Sequence, residues 1–297
     1  MNKDLRNRLR AYIDATGKSA SAVANGIGRS PAALSQYLNF SYKGNVAKLE
    51  VAIESWLVRQ AERQERNVRQ QAEFLQTSIA SKVFEIAEYC LLENEIGVVY
   101  SQAGLGKTWA VRQFNKQNPA TILIEADLGY TAKVLFQELH KAIGFDGNGA
   151  IHSLFEDIVA KLRGSDRMII VDEAENLPYR ALELLRRVYD KAGVGILLTG
   201  MPVLIGNLRG KRGEYAQLFS RVGVKGVLQV LDPSDTELFV KNALPGSNGI
   251  YKTFHEIAKG NTRVLSKLIR RSIRMSKINN LPIDSALVTE AGKSLMI

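Results

Sequence analysis

A chain of 297 residues, 45% hydrophobic and 24% charged, has room for one large domain or two to three small ones and the composition of a globular protein. No apolar run approaches the length of a membrane span, and Met1-Asn2-Lys3-Asp4 lacks the apolar core of a signal peptide. One cysteine, Cys90, excludes an internal disulfide and a Cys-rich zinc module, and His140, His152 and His255 lack metal-ligand spacing, so a reducing, cytoplasmic setting is expected. The surplus of 40 Lys and Arg over 30 Asp and Glu, net +10, favours a polyanionic partner, nucleic acid first.

In residues 4–15, Leu5, Leu9, Tyr12 and Ile13 recur at helical spacing. Residues 19–28 predict a second short helix ending in a glycine turn, and Ser30-Pro31 supplies the cap and first-turn proline of a third, residues 32–38. A short helix, a glycine-containing turn and a capped second helix predict a helix-turn-helix. Its second helix would enter the major groove of double-stranded DNA, with Ser30, Ala32, Ala33, Ser35, Gln36 and Tyr37 placed for contact and Lys43 for phosphate. A small helical bundle used only for protein contacts fits the same pattern. An amphipathic helix over 46–59, with Val46, Leu49, Ile53, Trp56 and Leu57 on one stripe, closes an all-α domain at 1–58. Residues 59–75 are polar all round and predict an exposed linker helix.

From residue 76 to 231 the pattern is α/β. Apolar strands at 96–100, 121–126, 168–171, 195–200 and 226–230 alternate with helices, which predicts a parallel sheet covered on both faces. The first strand runs into Ser101-Gln102-Ala103-Gly104-Leu105-Gly106-Lys107-Thr108 and then a helix beginning near Trp109. Strand, glycine-rich loop and helix in that order is a phosphate-binding loop: successive backbone N–H groups and the helix N-terminus face phosphate oxygens. Lys107 would reach the β- and γ-phosphates of ATP, and the Thr108 hydroxyl would ligate Mg²⁺. The usual pattern opens with glycine, where this chain has Ser101.

The third strand ends in Asp172-Glu173. A carboxylate there faces the phosphate crevice, so Asp172 would hold Mg²⁺ and Glu173 would orient and deprotonate the attacking water. Thr199, ending the next strand, is placed to reach the γ-phosphate or that water; a plain strand-end threonine before Gly200 is the alternative. Arg221 precedes the last strand and is the candidate arginine finger toward a neighbouring subunit, with Arg209, Lys211 and Arg212 as nearby competitors. Residues 232–297 are wholly helical and form a C-terminal lid, in which Gly260-Asn261-Thr262-Arg263 opens a helix and sets Arg263 to clamp the phosphates. Arg270, Arg271, Arg274 and Lys277 mark a solvated or DNA-facing helix.

Phosphate loop, Asp-Glu strand end, strand-end Thr, Ser220-Arg221 and Gly-Asn-Thr-Arg in this order resemble the AAA+ ATPases, whose P-loop sheet carries a C-terminal helical lid. With the 19–38 helix pair, Tyr42-Lys43-Gly44-Asn45, Trp56-Leu57 and Ala126-Asp127-Leu128-Gly129-Tyr130-Thr131, the chain is similar over nearly its full length to the Mu B-type transposition ATPases. The resemblance implies ATP-dependent helical filaments of many copies on double-stranded DNA, with little sequence preference. It also implies recruitment and activation of a transposase, and transposase-stimulated hydrolysis that clears the filament and helps avoid self-insertion. In related transposition ATPases the segment after the second strand lines the DNA channel; here that implies Tyr130, Thr131 and Lys133, although a helix N-cap explains Thr131 equally well. A helicase loader or replication initiator shares most of these motifs, and a sequence-specific repressor with a vestigial nucleotide fold is the non-enzyme alternative.

Overall fold

The structure, a computed structural model, describes residues 1–70, 74–210, 215–247 and 249–295, with the side chains of 62–70 outside the description. Lys211, Arg212 and the end of the expected linker therefore lie outside the described residues. The chain divides into two compact units, Met1–Glu73 and Phe74–Ile297.

The first unit holds α1 (Lys3–Thr16), α2 (Ala20–Ile27), α3 (Pro31–Leu38) and α4 (Val46–Gln70). Asn2, Ser19 and Ser30 each accept a hydrogen bond from a first-turn N–H, which satisfies donors that a helix start leaves open. Gly17 and Gly28 end α1 and α2 at positive φ, where a Cβ would be strained. The core joins Leu9, Val23, Leu34, Leu49, Ile53 and Trp56. Tyr37 belongs to that core as well, which corrects its expected place at a DNA surface. It lies three residues from Leu34 on the same helix face, fully buried, and its hydroxyl donates to Glu50 Oε1 at 3.1 Å. Burial, then the Glu50 bond, pushes its pKa up to about 12. Ser35, Gln36 and Lys43 are exposed. The expected division at residue 58 falls inside α4, a stretch without Gly or Pro to end it.

The second unit begins with α5 (Ser78–Glu93), β1 (Ile96–Tyr100), α6 (Lys107–Gln117), β2 (Thr121–Glu125), α7 (Ala132–Ala142), α8 (Ile151–Leu162) and β3 (Met168–Asp172). A 3₁₀ turn (Ala174–Asn176), α9 (Tyr179–Ala192), β4 (Gly195–Gly200), α10 (Val203–Arg209), α11 (Ala216–Phe219) and β5 (Val222–Val227) follow. The chain then runs through α12 (Pro233–Ala243), α13 (Tyr251–Ala258), α14 (Thr262–Asn279) and α15 (Ser285–Lys293). The five strands are all parallel in the order β2-β3-β4-β1-β5.

Alternation along each strand feeds two cores. Ile169 and Val171 face the layer of α7, α8 and α9, whereas Met168 and Ile170 face the layer that includes α5, α6 and the C-terminal helices. Leu265, Leu268, Val288 and Phe254 share that second core with Val83, Ile86 and Leu105. The buried carboxylate of Asp235 on α12 accepts from Ser78 N at 2.9 Å and Ser78 Oγ at 2.5 Å, so it caps α5 across the unit.

The fifth strand lies at 222–227 rather than at the expected 226–230. It is an edge strand with one face in solvent, so its apolar spacing is broken by Lys225 and two glycines, and the denser run after it misleads. A Cβ at Gly195 would sit 2.0 Å from the backbone oxygen of Cys90 on α5. Gly195→Ala should therefore lower stability by about 1–3 kcal/mol, read as a lower denaturant midpoint with unchanged slope. A wild-type midpoint would contradict this packing.

Candidate nucleotide site

The strand order decides where the functional side chains meet. β4 lies between β3 and β1, so the C-terminal ends of the three strands bring Asp172, Thr199 and the loop 101–108 to one edge of the sheet. Such a strand-end crevice is where open α/β sheets bind ligands. The loop leaves β1 with Ser101 N donating to Gly200 O at 3.2 Å, and Gly104 and Gly106 take φ of 86° and 97° to curl it into α6.

Asp172 is the centre of the arrangement. It is 1% exposed, and two threonine hydroxyls donate to it: Thr108 to Oδ2 at 2.6 Å and Thr199 to Oδ1 at 2.5 Å. Burying a carboxylate is costly unless hydrogen bonds replace its water, and these two come from separate elements. Lys107 Nζ donates to Ser101 Oγ at 2.8 Å and to the carbonyls of Ser101 and Gln102 at 3.0 and 3.2 Å. Ser101, in place of the usual glycine, thus gives the lysine a buried partner. Burial lowers the Lys107 pKa, opposed by Asp172, Glu175 and Glu173 and reinforced by Arg263.

Glu173 is exposed, with its backbone in the left-handed region at φ 54°. Its Oε2 accepts a long 3.4 Å contact from Asn176, which also reaches Ala126 O at 3.3 Å. Leu105 and Ser101 are buried, and Trp109 is 61% exposed in the first turn of α6. From the C-terminal helices, Asn261 Nδ2 donates to Ala103 O at 3.0 Å, Arg263 N to Gly104 O at 3.0 Å and Thr262 Oγ1 to Leu105 O at 3.2 Å. The exposed Arg263 side chain is close enough to act on Lys107 electrostatically.

Other expected site residues lie elsewhere. Arg221 pairs with Asp190 of α9, Nε to Oδ1 at 3.3 Å. Tyr130 is half-buried against the first core, and the Thr131 side chain accepts from Val134 N at 3.2 Å, so Thr131 does cap α7. Lys133 is exposed in the first turn of that helix. Ser35, Gln36 and Lys43 belong to the first unit. Three features were not foreseen. Leu128, at the tip of the loop after β2, is 92% exposed. Glu175 has a buried Oε2 without a hydrogen-bond partner among the described residues, beneath Gly200. Arg112 and Glu125 form a two-point ion pair, both bonds 2.5 Å. The Arg112–Glu125 pair alone had a sequence signal, an arginine one helical turn beyond Thr108.

The donor set suits a magnesium–triphosphate complex. Mg²⁺ takes hard oxygen ligands, commonly one or two carboxylates with the phosphates supplying the rest. A threonine hydroxyl 2.6 Å from a buried carboxylate beside a glycine-rich loop meets that need.

A family profile for an AAA domain matches residues 92–208, from the end of α5 into α10. The Mu-like prophage FluMu DNA transposition protein B of Haemophilus influenzae is 31% identical over 238 residues, covering 78% of this chain and 83% of that protein. The ATP-dependent target DNA activator B of Escherichia phage Mu is 25% identical over 239 residues, covering 79% and 76%. Among solved structures, the ADP form of the Aeropyrum pernix ORC2 protein superposes with a TM-score of 0.56 at 15% identity, over 73% of this chain and 67% of that one. This last likeness is one of fold.

The Asp172 pairing is testable by itself. Thr199→Val should leave a buried carboxylate oxygen without its donor and cost about 1–3 kcal/mol in denaturant unfolding, whereas Thr199→Ser should stay close to wild type. Equal stability of the two variants would contradict the bond.

Proposed function

Because the chain belongs to the Mu B-type family of DNA transposition proteins and is an AAA ATPase, we propose that it binds ATP between adjoining copies and that the ATP-bound oligomer is the form that holds double-stranded DNA. Bound to duplex as a filament, with little preference for sequence, it selects target DNA and recruits and activates a transposase. Hydrolysis then releases the DNA, so turnover is slow and acts as a timer.

The observation that carries this proposal is the Thr108–Asp172 pair, 2.6 Å apart at the mouth of the phosphate loop. Lys107 is poised to exchange its loop carbonyls for β- and γ-phosphate oxygens. Thr108 and Asp172 would hold Mg²⁺, which when bound neutralises charge on those oxygens. Glu173, exposed at the strand end, orients and deprotonates the attacking water. Thr199 holds Asp172 and reports the state of the γ-phosphate through that bond. Arg263 clamps the phosphates from α14. Arg221, 53% exposed in its side chain and lightly held by Asp190, is the arginine offered to the next subunit's γ-phosphate.

Three surfaces support the DNA assignment. Tyr130, Thr131 and Lys133 surround the start of α7, where a capped helix N-terminus favours phosphate. On α14, the exposed Lys267, Arg270, Arg271 and Arg274 stand on a helix without Asp or Glu. In the first unit, Ser35 and Gln36 on α3 and the nearby Lys43 are accessible to duplex. Phosphate contacts of this kind make affinity fall steeply with salt. The helicase-loader alternative predicts no stimulation by a transposase, and the repressor alternative predicts a footprint at one unique sequence.

Two variants test the site. Lys107→Ala should abolish ATP-dependent DNA binding in fluorescence anisotropy. Glu173→Gln should retain binding while phosphate release falls by about a hundredfold or more. Hydrolysis by Glu173→Gln at the wild-type rate would remove Glu173 from its role as the base.

A further inference from the structure

The turn that opens α14 does more than present Arg263. Asn261 performs two tasks with one amide. Its Oδ1 accepts from Arg263 N at 3.0 Å and Val264 N at 3.1 Å, which caps α14. Its Nδ2 donates to the carbonyl of Ala103. With Thr262 Oγ1 on the carbonyl of Leu105 and Arg263 N on that of Gly104, three successive loop carbonyls are bound to one turn. The turn is itself anchored behind, where Leu231 N donates to Gly260 O at 2.9 Å and a Cβ on Gly260 would lie 2.6 Å from Leu231 O.

The peptide unit is planar and trans, so its C=O and the following N–H point in opposite directions. Fixing the carbonyls of Ala103, Gly104 and Leu105 toward α14 therefore turns the N–H groups of Gly104, Leu105 and Gly106 the other way. None of those three N–H groups donates to an acceptor among the described residues. Three adjacent amides, unpaired and held to one side, form a nest for an anion. The contact is close: a Cβ on Gly104 would meet Asn261 Oδ1 at 2.6 Å.

We propose that Asn261 and Thr262 are positioning residues for the triphosphate: they brace the phosphate loop from behind, so that its amides face the phosphates before nucleotide arrives. The proposal rests on the nucleotide reading of the loop and adds to it. Affinity for ATP is then set partly by two side chains at the start of α14, Asn261 and Thr262, that hold the loop without touching the ligand.

Substitutions that separate capping from bracing provide the test. Asn261→Ser keeps a good N-cap, adds no charge and is too short to donate to Ala103 O. Thr262→Val removes the hydroxyl with little change of shape, and Thr262→Ser restores it. Each full-length variant is titrated with ATP and with ADP by calorimetry, melted without nucleotide, and assayed for ATP hydrolysis. We expect Asn261→Ser and Thr262→Val to weaken nucleotide binding about five- to tenfold, the scale of one lost hydrogen bond. KM for ATP should rise in step, with kcat at saturating ATP unchanged and the nucleotide-free melting temperature lowered by no more than about 2–4 °C. Thr262→Ser should bind as wild type does. Wild-type affinity in both Asn261→Ser and Thr262→Val would overturn the brace alone. Failure of the wild-type chain to bind ATP would overturn the nucleotide reading beneath it.

Discussion

A carboxylate in the interior of a sheet has to be surrounded by donors, and the second unit of this chain is arranged around that requirement at Asp172. Two hydroxyls answer it, Thr108 from the start of α6 and Thr199 from the end of β4. They converge because the order β2-β3-β4-β1-β5 sets β4 between the strand that carries the acid and the strand that feeds the phosphate loop. A different order would separate these three residues. The same order leaves Glu173 at the rim, one residue beyond the buried acid and turned by a left-handed backbone.

Around this centre the chain uses loop and lid as one piece. α12–α15 share a hydrophobic core with α5 and α6, and Asp235 fixes α12 to the start of α5. The Gly260–Arg263 turn then reaches the loop with two side chains and one backbone N–H. The candidate site is accordingly assembled from β1, β3, β4 and α14, four elements far apart in sequence. For an AAA ATPase of a transposition family, such a site can couple the presence of a triphosphate to the helices that carry the exposed basic residues.

What could be read before the structure followed from local signals with a physical cause. Short continuous apolar runs rich in β-branched residues, such as Met168-Ile169-Ile170-Val171, suit buried strands, and Gly104, Gly106, Lys107 and Thr108 following such a strand match the pattern of a phosphate-binding loop. Ser30 was legible as a cap, and a cap was one of two readings of Thr131. What escaped depends on neighbours. Tyr37 has a polar end, and only the packing of α3 against α4 shows that its hydroxyl is satisfied by Glu50 inside the fold. The fifth strand was misplaced because an edge strand needs little hydrophobicity of its own. Asn261 and Thr262 are recognisable as a helix start, but their second task lies more than 150 residues away, at the loop. Arg221 stood out in the sequence by its place before the last strand; its pairing with Asp190 did not, since the two residues meet only once α9 and β5 have docked.

The central claim is that a triphosphate at Asp172 and the phosphate loop creates the DNA-holding form of the protein. Electron micrographs of the purified chain with duplex DNA, with and without ATP, measure this most directly. The account predicts protein-coated duplex with ATP, and bare duplex with dispersed protein in its absence. Equal coating of DNA in both conditions, or isolated monomers on DNA in the presence of ATP, would contradict it.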